Sequence, residues 1–200
     1  MITQERRFVA SAELRAVASG ELRQITGRPA IYNSRSELIN ARFRETIAPG
    51  AATTALKTSD IRALFNHDPN FVIARQSAGT LSVTEDRSGL SMAADPPPTQ
   101  WARDLLVSIE RRDVTQMSFG FIVGKGNDDW QMEDGVALRT INRFAEILDV
   151  SPVTFPAYPD TSVAVRSLDE WAAAAVLAVD PPPAILRELR RRRHRLIVAL

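Results

Sequence analysis

The chain has 200 residues, 44% hydrophobic and 24% charged, with a formal net charge of +1, the balance of a soluble globular domain plus a tail with no global field for nucleic acid or a membrane surface. The absence of cysteine excludes disulfides, thiolate zinc sites and a cysteine nucleophile, and with histidine only at His67 and His194 neither a histidine-based metal site nor a cofactor is expected. Met1–Arg7 leads into mixed sequence without a signal-peptide core, and the longest apolar run, Trp171–Val179, is too short to span a bilayer, so a cytosolic protein is expected.

Residues 7–166 read as β-rich, with short apolar runs broken by Gly, Pro, Asn and Asp. The expected strands are Phe8–Ala16, Leu22–Tyr32, Ile61–Asn66, Phe71–Gln76, Thr80–Glu85, Leu90–Ala94, Met117–Val123, Val136–Ile141 and Phe144–Phe155. Turn signals stand at Ser19-Gly20, Asp68-Pro69-Asn70, Ser77-Ala78-Gly79, Asp86–Gly89 and Gly124–Asp128, and the strands around Asp86–Gly89 read as a hairpin. Pro69 is expected to stop the strand that ends near His67. Two helices interrupt the pattern. A short one covers Ala51–Lys57 after Pro49-Gly50. A clearer one covers Gln100–Arg111, with Thr99 as N-cap and a buried stripe of Trp101, Leu105, Leu106 and Ile109. An alanine-rich helix is expected over Leu168–Val179. Pro181-Pro182-Pro183 breaks it, and an arginine-rich helical segment, Ala184–Leu200, follows. The organisation is therefore a domain over 1–166 and a helical tail over 167–200.

Gln116–Phe121 carries the most information. Met117, Phe119, Phe121 and Val123 alternate on one face of its strand; Ser118, Gly120, Ile122 and Gly124 alternate on the other. A serine that shares a face with glycine is open to an incoming peptide, or the small face merely lets another segment pack closely. A serine nucleophile needs a base, and the base benefits from a carboxylate. His67 is the plausible base, since His194 lies among arginines; a structural histidine before a turn is the alternative. Asp149 lies in a mostly apolar run, Ile147–Val153, and a buried carboxylate needs a partner, either Arg143 or His67. Glu146 competes with it. In one regular strand the two acids face opposite sides, so only one can point at the site.

Five segments go beyond this generic pattern: Gly27–Ser34, Phe43–Ala51, Ala63–Asp68, Met117–Phe121 and Asp149–Tyr158. In this order they closely resemble the prohead (capsid maturation) protease family of HK97-like tailed bacteriophages, over about residues 7–166. The resemblance implies an α+β, β-rich fold related to herpesvirus assembly proteases, a β-barrel with peripheral helices. It implies a serine endopeptidase with His67, Ser118 and Asp149 as a triad in that chain order. Asp149 stands where the family pattern usually carries Glu. Backbone N–H groups near Ser118 are candidates for the oxyanion hole, with Arg166 a weaker one. The implied partners are the phage capsid protein with its scaffold region, and the chain itself through autoprocessing, with a homo-oligomer as a further option. The implied setting is the host cytoplasm, inside the assembling prohead.

The cluster Arg190–Arg193 with His194 and Arg195 reads as a solvated helical tail, as a contact for an acidic partner, or as a segment for self-cleavage or packaging. The near-neutral total charge weighs against a nucleic-acid-binding module. Asp128-Asp129 reads as a solvated loop rather than a metal site. Glu45 is expected to pair with a nearby arginine, and Trp101 to belong to the core.

Overall fold

The computed structural model describes residues 4–9, 13–19, 22–155 and 162–178. The chain divides into two compact units, Met1–Val163 and Ala164–Leu200. The first holds twelve described strands in three sheets. A five-stranded sheet has the order β1 (Glu5–Val9), β9 (Gln116–Ile122), β12 (Glu146–Val153), β5 (Arg62–Phe65), β6 (Asp68–Arg75). A four-stranded sheet has the order β2 (Arg15–Ser19), β3 (Leu22–Ile31), β8 (Gly89–Ala94), β7 (Leu81–Asp86). A three-stranded sheet has the order β10 (Asp128–Glu133), β11 (Val136–Ile141), β4 (Phe43–Ile47). Helices α1 (Ala55–Thr58) and α2 (Gln100–Glu110) interrupt the strands, and α3 (Ser162–Ala178) follows them. The fold is thus β-rich α+β, but no closed barrel is found among the described residues.

The period-2 alternation of β9 is realised as read. Met117, Phe119 and Phe121 are at most 1% exposed, and Phe119 and Phe121 stack at 4.7 Å with Phe144 against both rings. Ile25, Leu81 and Leu90 from the four-stranded sheet and Leu105, Leu106 and Ile109 from α2 join this core. Thr99 has the extended backbone of an N-cap but makes no side-chain cap bond.

Four expectations change. The run Phe8–Ala16 is two strands in different sheets, because β1 pairs with β9 and β2 with β3. Pro69 does not stop a strand: β6 runs through it at the sheet edge, where the missing N–H costs no ladder bond. The turn lies one step earlier, at Asn66-His67, with Phe65 opposite Asp68. Asp128-Asp129 begins β10, which pairs with β11 over its whole length.

Between the five- and three-stranded sheets lies a buried ion cluster. Glu5 and Arg7 leave β1 on the Phe119–Phe121 face and meet Glu45 of β4 and Arg139 of β11. Arg7 donates to both Glu45 oxygens at 2.6 and 2.8 Å and to Glu5 at 2.8 Å. Arg139 donates to Glu5 at 2.8 and 3.1 Å, to Glu45 at 2.9 Å and to Asp128 at 2.7 Å. Burial drives the Glu45 carboxyl up, but Arg7 and then Arg139 more than offset it and leave it below its ordinary value. Glu45 is therefore an ion-pair partner, as its sequence context suggests.

Candidate functional site

His67 owes its placement to the tight turn between β5 and β6. Asn66 and His67 both take positive φ, +55° and +58°, the geometry of a two-residue hairpin turn matched to strand twist. Asparagine tolerates this region better than most residues. Its side chain also fastens the turn to the end of β12: Asn66 Oδ1 accepts from the Thr154 N–H at 2.8 Å, and Asn66 Nδ2 donates to Thr154 Oγ1 at 3.2 Å. The Asn66 N–H donates to the Pro152 carbonyl at 3.0 Å.

From this turn the imidazole bridges the two other expected residues. His67 Nδ1 lies 2.5 Å from Asp149 Oδ1, and His67 Nε2 lies 2.7 Å from Ser118 Oγ. A carboxylate only accepts, so Nδ1 carries the proton and Nε2 offers its lone pair to the serine O–H. All three side chains are buried, Ser118 completely. A hydrogen-bonded chain in such low-dielectric surroundings is stronger than the same chain in water.

An irregularity the sequence did not announce sets the faces of Asp149 and Glu146. The β12–β9 register shifts between Ile147 and Asp149, leaving Leu148 as an extra residue. Glu146 pairs with Ile122, Asp149 with Gly120 and Ser151 with Ser118. Both acids therefore share the Ser118 face, contrary to the expectation for one regular strand. Asp149 is buried beside His67; Glu146 lies at the far end of the strand and is exposed. Arg143, the alternative partner for Asp149, bonds Asn127 Oδ1 instead.

Gly120 is not small to admit a peptide. A Cβ there would lie 2.4 Å from Asp149 Oδ2 and 2.5 Å from Gln4 Nε2. The space is taken by the carboxylate and by Gln4. Nor do the N–H groups of β9 beside Ser118 suit an oxyanion hole. Strand β9 is interior, and its amides lie in the sheet plane toward β1 or β12. Arg166 lies on α3 with its side chain exposed. His194 and the arginine cluster lie outside the described residues. Among the described residues no cluster of three or more potential metal ligands is present, and no helix is long and apolar enough to cross a membrane.

Two contributors escaped the sequence reading. Ser151 Oγ donates to Asp149 Oδ1 at 2.6 Å from a fully buried position. Its period-2 spacing from Asp149 was the available signal. The Asn66 clamp had none, because Thr154 is distant in sequence.

A family model described as caudovirus prohead serine protease matches residues 10–173. No curated protein and no solved structure matches the chain. A match over most of the chain, spanning His67, Ser118 and Asp149, means that the chain belongs to the family of caudovirus prohead serine proteases.

Proposed function

We propose that this chain is a serine endopeptidase whose catalytic residues are Ser118, His67 and Asp149, and that it cleaves the scaffold region of the phage capsid protein and itself during prohead maturation. The observation that carries this reading is the position of His67, within hydrogen-bond distance of both Ser118 and Asp149. Ser118 Oγ attacks the scissile carbonyl as His67 Nε2 takes its proton. The collapsing intermediate releases the amine, which leaves with that proton and gives an acyl-Ser118 ester. Water, deprotonated by the same nitrogen, then releases the acid and regenerates the serine. Asp149 holds Nδ1–H and stabilises the imidazolium formed in each half. Ser118 is buried, so a peptide reaches it only when this face opens. Kinship with the herpesvirus proteases belongs to this proposal.

Co-expression with the neighbouring capsid protein, read by intact mass, tests it. Wild type is expected to shorten the capsid protein and itself, and Ser118→Ala to leave both at full length. Equal masses in the two samples, with shells still forming, would hand the site to a non-enzymatic assembly role.

A further inference from the structure

Arg6 stands apart from the other cations. Among the described residues it is the one half-buried basic side chain without a hydrogen-bond or ion-pair partner for its guanidinium. Its neighbours Glu5 and Arg7 turn to the core face and are fully committed to the ion cluster. Arg6 turns to the opposite face. It pairs with Gly120 in the β1–β9 register, two residues along from the position opposite Ser118. Cross-strand partners share a face, so Arg6 lies on the sheet face that carries Ser118, Gly120 and Asp149. Strand geometry puts its Cα roughly 8–9 Å from that of Ser118.

A half-buried guanidinium without a counter-ion loses part of its hydration and gains nothing in return. It is suited to a carboxylate that arrives with a ligand, through a forked, charge-assisted pair. We infer that Arg6 is a specificity-determining residue that receives an acidic side chain of the substrate. An extended peptide advances about 3.3 Å per residue, so the acid lies two or three positions from the bond cut. The inference rests on the reading of Ser118 as the nucleophile toward peptides.

The test uses the co-expressed capsid protein, with its cut sites mapped by N-terminal sequencing and mass. An Asp or Glu within about three residues of the main cut is expected. Arg6→Gln and Arg6→Glu are expected to slow that cut by about tenfold or more. Exchanging the substrate acid for Lys should restore cutting by Arg6→Glu and impair it for wild type. Arg6→Gln keeps the wild-type melting temperature, since the Arg6 side chain bonds nothing in the fold. Cutting by Arg6→Gln at the wild-type rate, or main sites without a nearby acid, overturns the inference and leaves the protease reading intact. No cutting by wild type removes both.

Discussion

Asp149 fills the volume that a side chain on Gly120 would need: an added Cβ would sit 2.4 Å from Asp149 Oδ2. The glycine and the acid face each other across β9 and β12, so the smallness of one residue sets the position of the other. Gly120→Ala is expected to displace the Asp149 carboxylate and the Gln4 amide, and with the first to disturb the bond to His67. A displacement on the order of 1 Å costs about 100-fold in rate. A chain that still melts cooperatively, with cleavage of the capsid protein down by about that factor, is the expected result. Wild-type cleavage would mean that Asp149 has room to adjust.

A larger loss is expected for Asp149→Asn. An amide can donate to Nδ1 and so favour the wrong ring tautomer, a change that costs on the order of 10⁴ in kcat where such a triad operates. Glu146→Gln, at the exposed end of the same strand, should leave turnover within about twofold of wild type. Single-turnover rates of the two variants distinguish the acids; a large loss in Glu146→Gln would reverse the assignment.

Ser151→Ala removes the hydroxyl that donates to Asp149 Oδ1 at 2.6 Å. The expected effect is about tenfold on kcat, with KM unchanged, matching one lost hydrogen bond to a charged group. Ser151→Thr should recover part of it. A change confined to KM would assign Ser151 to substrate binding.

Asn66→Ala places alanine at φ +55° and removes both side-chain bonds to Thr154. The left-handed conformation costs about 1–2 kcal/mol for an ordinary residue, and the lost bonds add about 1 kcal/mol. Urea denaturation should show a loss of about 2–3 kcal/mol, with activity falling further because the turn aims His67. Asn66→Gly should restore more stability than activity.

The ion cluster sets the response to acid. Glu45 has its folded carboxyl held below the ordinary value by Arg7 and Arg139 against the opposing effect of burial. The stabilisation is fully present above the unfolded value of about 4.3 and is lost as pH falls through the lower folded value. Melting temperature should therefore fall below about pH 4. Glu45→Gln should flatten that fall. At neutral pH it should cost about 3–5 kcal/mol, because Arg7 and Arg139 each lose one of the carboxylates that compensate their buried charge. A pH profile unchanged by Glu45→Gln would place the acid response elsewhere.

The sequence by itself determined the β-rich class, the two faces of Gln116–Ile122 and the hairpin at Asp86–Gly89, and it singled out His67, Ser118 and Asp149 as candidates with Glu146 in competition. These are local matters: a period-2 pattern, a turn motif, residue chemistry and a resemblance spread along the chain. It did not determine which acid would lie beside His67. That depended on the extra residue Leu148, which turns Glu146 onto the same face as Asp149 and leaves distance from His67 to separate them. Nor did it locate the turn at Asn66-His67, since Pro69 is a strand breaker only where both edges of a strand are paired, and β6 has one edge free. Strand β4 went unread because Glu45 interrupts its apolar face and becomes tolerable only against Arg7 and Arg139, and β10 because its two apolar residues, Trp130 and Met132, sit among acids that suggested a solvated loop. Bulges, edges and buried charge pairs are relations between segments far apart in the chain. Their energies depend on partners that a window of sequence does not contain, so tertiary structure alone could decide them.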